Sequence, residues 1–283
     1  MNKTDKIKQE DFPLPRYVQE VLSKHNISLP SLWGRGKGEG PLGSLSVLAL
    51  QSHRYPDIDM PFLLDQLAGW QTARTKLPSW AAKEDIIYPP HLSMEQCSSE
   101  QTAEYKARLV TRLVGVENFA SSDLNNDYSR PSAGEETTPT QQDNHVQNSF
   151  EGSFCDLTGG FGVDFSFIAR SFKRAIYVEQ QEKLCELARH NFHAFGLTQA
   201  EVVNTDGTAY LQQLDHVAVL FLDPARRNEQ GGKTVLISDC TPDVLALEEE
   251  LLEKADTVVI KLSPMLDWHR AVDELNCLGN VVR

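Results

Sequence analysis

Ser153-Phe154-Cys155-Asp156-Leu157-Thr158-Gly159-Gly160-Phe161-Gly162-Val163-Asp164 sets the fold of this chain. Its first residues form a short apolar strand that runs into a glycine loop, and helical spacing resumes over 163–172. Gly160 and Gly162 let the backbone turn tightly and approach a ligand without a Cβ clash. The helix that follows aims its free N–H groups and the positive end of its dipole at the same place. A dinucleotide site needs a third glycine three residues after the second, and that position holds Phe165. A pyrophosphate seat is therefore disfavoured, and a ligand bearing a carboxylate fits better.

Three more groups repeat this plan of an apolar run, a polar tip and helical spacing. Ala175-Ile176-Tyr177-Val178 closes on Glu179, ahead of a helix over 182–195. An acidic group at that tip can accept both hydroxyls of a ribose. Glu201-Val202-Val203-Asn204 leads to Asp206, a carboxylate able to accept from the exocyclic amine of adenine. Asp206-Gly207 is equally a common turn pair. Val217-Ala218-Val219-Leu220-Phe221-Leu222 suits a central strand buried on both faces, and it closes on Asp223-Pro224-Ala225-Arg226-Arg227. Pro224 stiffens that turn and removes a backbone donor. Its carbonyl and the Asp223 carboxylate can together accept protons from an amine. The alternation predicts an α/β fold with these groups at the carboxyl ends of parallel strands, facing one crevice.

The segments 156–164, 223–227 and Lys261-Leu262-Ser263-Pro264-Met265-Leu266-Asp267 resemble class I S-adenosylmethionine-dependent methyltransferases. More narrowly, they resemble the bacterial ones that carry a THUMP-like C-terminal domain. Upstream, Leu67-Ala68-Gly69-Trp70-Gln71-Thr72-Ala73-Arg74-Thr75-Lys76-Leu77-Pro78 and Ser93-Met94-Glu95-Gln96-Cys97-Ser98-Ser99-Glu100 look like that family's N-terminal helical region. The resemblance covers most of residues 60–275, apart from the segment near 120–150. It implies a Rossmann-like methyltransferase sheet preceded by a small helical region. It also implies that Asp156, Thr158, Gly160, Gly162, Asp164, Glu179 and Asp206 hold S-adenosylmethionine. Asp223 and Pro224 are then the catalytic pair that holds the acceptor, and Arg226, Arg227 and Lys261 bind substrate. No metal is expected. Related sheets run in the order 3-2-1-4-5-7-6. Gly279-Asn280-Val281-Val282-Arg283 reads as the sixth strand. The core is thus expected to lack its last strand, and the chain to lack the THUMP-like, RNA-binding region. The fifth strand, Thr257-Val258-Val259-Ile260, is then expected to present an open edge.

The substrate is less legible. Asp-Pro-Ala-Arg differs from the Asn/Asp-Pro-Pro-aromatic pattern of many amino-group methyltransferases, and no aromatic follows Pro224 to stack a flipped base. It comes closer to the motif of uridine C5 methyltransferases. Those need a cysteine after the fifth strand, where this chain has Lys261-Leu262-Ser263-Pro264, so covalent C5 chemistry is disfavoured. Direct methyl transfer to an RNA base nitrogen, with tRNA or rRNA as partner, is the leading expectation. A small-molecule or protein methyltransferase and an inactive cofactor-binding remnant are the alternatives.

Composition bounds the rest. The chain has 283 residues and is 40% hydrophobic, enough for a globular core of one large domain or two modest ones. No apolar run approaches membrane-spanning length, and the first residues are too polar for a signal peptide. Cys97, Cys155, Cys185, Cys240 and Cys277 are scattered, as reduced thiols of a cytoplasmic protein would be. The net charge of -13 counts against phosphate neutralisation. Two local patches can still supply it: Arg226, Arg227 and Lys233, or Arg74, Lys76, Lys106, Arg108 and Arg112.

Residues 1–119 read as the helical region, with helices over 14–28, 61–77 and 94–113 and a glycine-rich loop at 33–41. Pro78 ends the second helix. Ser93 and Gln96 suit a capping box for the third. Gln96 and Ser98 can cover a bound cofactor if that helix folds over the crevice. Residues 120–150 are too polar to offset their ordering entropy and read as a disordered linker, leaving 151–283 as the core. A helix over 242–255 buries Leu245, Leu247, Leu251 and Leu252 and leaves Glu248, Glu249, Glu250 and Glu253 in solvent.

Overall fold

The computed structural model describes residues 12–27, 41–115, 150–226, 236–263 and 266–275. The linker expected before Phe150, the loop expected before Pro41, the strand expected at 279–283, and Arg227, Lys233 and Cys277 lie outside them.

Strands β1 (Phe150–Asp156), β2 (Phe172–Glu179), β3 (Ala200–Asn204), β4 (Val217–Leu222) and β7 (Ala255–Ile260) form one parallel sheet in the order 3-2-1-4-7. Two residues each of β5 (Ala225–Arg226) and β6 (Cys240–Thr241) pair antiparallel beyond the end of β4. All six side chains of β4 are buried, as the uninterrupted apolar run requires. Among the described residues β7 pairs with β4 alone, on one side.

Side chains alternate along each strand, and the alternation divides two cores. Phe154, Ala175, Tyr177, Val219 and Phe221 point to one face. Cys155, Ile176, Val178, Leu220 and Leu222 point to the other. The first face is covered by the helices Val163–Ile168 and Glu182–Ala194 together with the N-terminal helices Met60–Lys76, Pro78–Ala81 and Glu100–Leu113. Trp80 packs on Phe161 and Phe195, with centroids 4.8 and 4.9 Å away. The buried Asn191 side chain closes both polar groups of Ile87, accepting from its N–H at 3.0 Å and donating to its carbonyl at 2.9 Å. The second face is covered by the helices Gly207–Gln213, Val244–Lys254 and Trp268–Leu275.

Several local expectations are corrected. The helix expected over 94–113 is two helices, His91–Gln96 and Glu100–Leu113. Ser93 lies inside the first, so it caps nothing. Ser99 caps the second, accepting from Thr102 N–H at 3.3 Å. The helix Met60–Lys76 ends as expected, but Pro78 opens the further helix Pro78–Ala81, because its fixed φ and missing N–H suit a first helical position. The helix after the glycine loop is shorter than expected and gives way at Ala169–Ser171 to a tight turn, with Phe172 already in β2. In Val244–Lys254 the buried stripe is Val244, Glu248 and Leu251. Asp243, not an earlier residue, starts the helix by accepting from Ala246 N–H. That phase leaves Leu252 42% exposed and Glu248 only 9% exposed, against expectation for both.

Among the described residues no helix is long and apolar enough to cross a membrane.

Candidate active site

The strand register sets the tips of the sheet side by side. Asp156 lies level with Tyr177 and with Phe221, Glu179 with Asn204, and Leu222 with Ile260. Asp223 and Lys261 therefore leave adjacent strands at the same height. The tips open into one cleft of about 1160 Å³, large for a small-molecule site. Gly160, Glu179, Asp206, Asp223, Pro224 and Lys261 all line it, as do Asp156, Thr158, Gly162 and Asp164. Arg226 contributes its backbone to the β5–β6 pair, and Arg227 lies outside the described residues.

The glycine loop takes the backbone shape that its residue types allow. Gly160 and Gly162 have φ of 56° and 84°, a region that glycine enters without strain. A Cβ on Gly162 would stand 2.8 Å from the Phe192 ring. Glu179 is 8% exposed and ties the loop to β2. Its Oε2 accepts from Gly160 N–H at 2.9 Å and its Oε1 from Gln181 N–H at 2.8 Å. Each oxygen keeps a second lone pair. Tyr177 donates its hydroxyl to the Gly160 carbonyl. Asn204 donates to the carbonyls of Glu179 and Gln180 at 2.9 and 3.0 Å, joining the ends of β2 and β3.

Thr158 joins the first loop to the fourth. Its Oγ1 accepts from Asp223 N–H at 2.6 Å and donates to Asp156 Oδ1 at 3.3 Å. Asp156 Oδ1 also accepts from Thr158 N–H at 2.9 Å. Asp156 is 2% exposed, and burial pushes its carboxyl up to about 8.

Asp164 is bound from the N-terminal region. Its Oδ2 accepts from Ser98 Oγ at 2.9 Å and pairs with the Lys106 ammonium, which also donates to Ser98 Oγ at 2.7 Å. Asp164 Oδ1 is buried without a hydrogen-bond partner. Lys106 is 8% exposed, and burial lowers its pKa against the pull of Asp164. The basic patch expected around it is thereby broken up. Lys76 caps the carbonyls of Met94 and Glu95, the Arg74 guanidinium lies 4.9 Å from the Trp70 ring centroid, and Arg108 pairs with Glu104. A lysine read from sequence as surface charge is an interior ion-pair partner, because a carboxylate from the opposite half of the chain meets it.

Asp223 pairs through Oδ2 with the Lys261 ammonium. Burial raises the Asp223 pKa, and Lys261 pulls it back. Pro224 is buried beside it. Asp206 caps the helix Gly207–Gln213: its Oδ1 accepts from Ala209 N–H at 3.0 Å and from the Thr208 hydroxyl. These bonds, the Thr208 hydroxyl first, hold its carboxyl below the usual range. Gln96 and Ser98 line the cleft from the N-terminal side.

Sequence reasoning missed the roles of Lys106, Asn204 and the Thr158 bridge. Only the spacing of Ser98 and Lys106, two turns apart across a helix start, hinted at the first. Among the described residues no group of three His, Cys, Asp or Glu is placed to hold a metal.

No family model matches this chain, and no curated protein does. Among solved structures it is similar to a Porphyromonas gingivalis W83 protein provisionally classed as a methyltransferase. Identity is 24% and the TM-score 0.57, over 89% of this chain and 49% of that one. It is similar, over shorter stretches, to a Streptococcus mutans protein of the same provisional class in complex with SAH, with 12% identity and a TM-score of 0.34 over 45% of this chain and 71% of that one. A Haemophilus influenzae protein provisionally classed as a methylase shares 25% identity at a TM-score of 0.25, over 27% of this chain and 47% of that one. This chain spans about half the length of the P. gingivalis protein. That likeness establishes the fold alone, a parallel Rossmann-like α/β sheet with a helical N-terminal region.

Proposed function

We propose that this chain is an S-adenosylmethionine-dependent methyltransferase acting on a nitrogen of an RNA base. One observation carries the reading: Gly160, Glu179, Asp206, Asp223 and Pro224, distant in sequence, line one cleft at the carboxyl ends of parallel strands. Ligands of open α/β sheets bind in that crevice. The donor set also fits the cofactor. Asp164 Oδ1 is a buried acceptor in want of a donor, which the ammonium of the methionine half can supply. Glu179 retains lone pairs for the two ribose hydroxyls. Asp206, at the end of the third strand, suits the adenine amine.

When bound, the cofactor supplies a methyl group already made electrophilic by its sulfonium. The chain has to hold an acceptor nitrogen in line with it, and such positioning contributes about 7–11 kcal/mol. Asp223 and the Pro224 carbonyl are the acceptors that aim the nitrogen. Thr158 fixes Asp223 relative to the glycine loop. Ser98 and Gln96, which line the cleft from the N-terminal side, would screen a bound cofactor from water.

Titration calorimetry with S-adenosylmethionine tests the cofactor, and absence of heat at millimolar ligand overturns the proposal. Transfer of labelled methyl to tRNA and rRNA, set against a small-molecule extract, tests the acceptor. The net charge of -13 and the interior position of Lys106 favour the second reading, a small-molecule or protein acceptor. Label found only in the extract or in protein would select it.

A further inference from the structure

The acceptor end of the cleft carries a charge arrangement that narrows the acceptor further. Lys261, Asp223 and Pro224 line it together. Lys261 is a donor only, the ionised Asp223 an acceptor only, and Pro224 has no N–H, so its backbone offers a carbonyl alone. The ion pair engages Asp223 Oδ2 and one of three Lys261 N–H groups. The set these residues can present to an acceptor is therefore one donor and two acceptors.

We infer that the methyl acceptor is a guanine base, alkylated at ring N1; this rests on the methyltransferase reading above. The Watson–Crick edge of guanine presents O6 as acceptor, then N1–H and the 2-amino group as donors, the complement of Lys261, Asp223 and the Pro224 carbonyl. Uracil and cytosine each present two acceptors and one donor, so either sets an acceptor of its own against an acceptor of the site. Adenine offers an amine and a ring acceptor, but a cation on its ring nitrogen draws the lone pair of the amine into the ring and makes the amine a poorer nucleophile. An acceptor that arrives as an ammonium, such as a lysine side chain, meets the like charge of Lys261.

The chemistry balances without a further reactant. The N1–H proton passes to the Asp223 carboxylate, and the negative charge that grows on O6 is met by Lys261. The N1 electron pair forms the new bond to the methyl carbon as the carbon–sulfur bond breaks and its pair stays on sulfur. The products are the N1-methylated base, S-adenosylhomocysteine and a proton that Asp223 releases to water.

Two measurements on the full chain test this. Saturation-transfer NMR of the four nucleoside 5′-monophosphates, with the protein saturated by S-adenosylhomocysteine, is expected to favour GMP by about tenfold. Lys261→Met is expected to bring that preference to within about twofold, and Lys261→Arg to keep most of it. In the second, unmodified tRNA and rRNA transcripts are methylated and digested to nucleosides. N1-methylguanosine is the expected product, formed about 100-fold more slowly by Lys261→Met. Methyl groups on an exocyclic amine or on another base, or equal binding of the four nucleotides, overturn the guanine assignment and leave the methyltransferase reading intact. A chain that binds neither S-adenosylmethionine nor S-adenosylhomocysteine overturns that reading itself.

Discussion

Asp223 and Asp156 share the residue type and the end of the sheet, yet their surroundings give them different work. Asp223 faces the cleft with a lysine beside it. Asp223→Ala is expected to lower kcat by about 1000-fold while the calorimetric affinity for S-adenosylmethionine stays within about twofold. Equal turnover by the variant and the wild type removes the acceptor role. Asp156 is enclosed, and its carboxyl is raised from 3.8 to about 8. The folded state thus holds its proton more tightly than the unfolded chain does. The stability this proton confers is fully present below about pH 4 and is lost as pH rises toward 8. Asn can keep the bond from Thr158 N–H and has no proton to lose. Thermal unfolding of Asp156→Asn is therefore expected to match the wild type near pH 4 and to exceed it near pH 8. A constant difference across that range would show that the carboxyl is ionised throughout.

At the scale of elements, Thr158 couples two loops that the proposed reaction needs at a fixed separation. It accepts from one and donates to the other. Thr158→Ser keeps the hydroxyl and is expected to keep most of the activity. Thr158→Val keeps the shape, leaves the Asp223 N–H without its acceptor, and is expected to lose about 10- to 100-fold in kcat. Cofactor affinity should move less than kcat, and an equal loss in both would mean that the bridge serves cofactor binding instead. The helix boundaries teach a related lesson. No Pro or Gly interrupts 94–113, so the sequence reads as one helix there, although Ser98-Ser99-Glu100-Gln101-Thr102 leaves a gap in the apolar spacing between Cys97 and Ala103. The chain breaks there because Ser98 is drawn to Asp164 and Lys106, while Ser99 supplies a new cap.

In the whole molecule the N-terminal helices form one layer of the sheet's core. Trp70, Trp80 and Met94 belong to the same apolar cluster as Phe154, Phe165 and Phe221. Unfolding of the layer and the sheet should be one cooperative event, seen as coincident denaturant transitions by tryptophan fluorescence and far-UV circular dichroism. Two separated transitions would show that the layer folds alone. Asn191→Ala cuts both bonds to Ile87 at this seam and is expected to cost about 2–4 kcal/mol in the same experiment.

Taken by itself the sequence determined the parallel sheet, the glycine loop and the polar residues at the strand tips. Each is a local matter: a buried strand must be continuously apolar, and a tip residue is marked by the end of that run. The tertiary structure alone decided which charges meet. Lys106 with Asp164, Lys261 with Asp223 and Asn191 with Ile87 join positions 38 to 104 residues apart. A side chain's partner depends on where the packing of helices on the sheet delivers it, and no local pattern of residue types carries that distance.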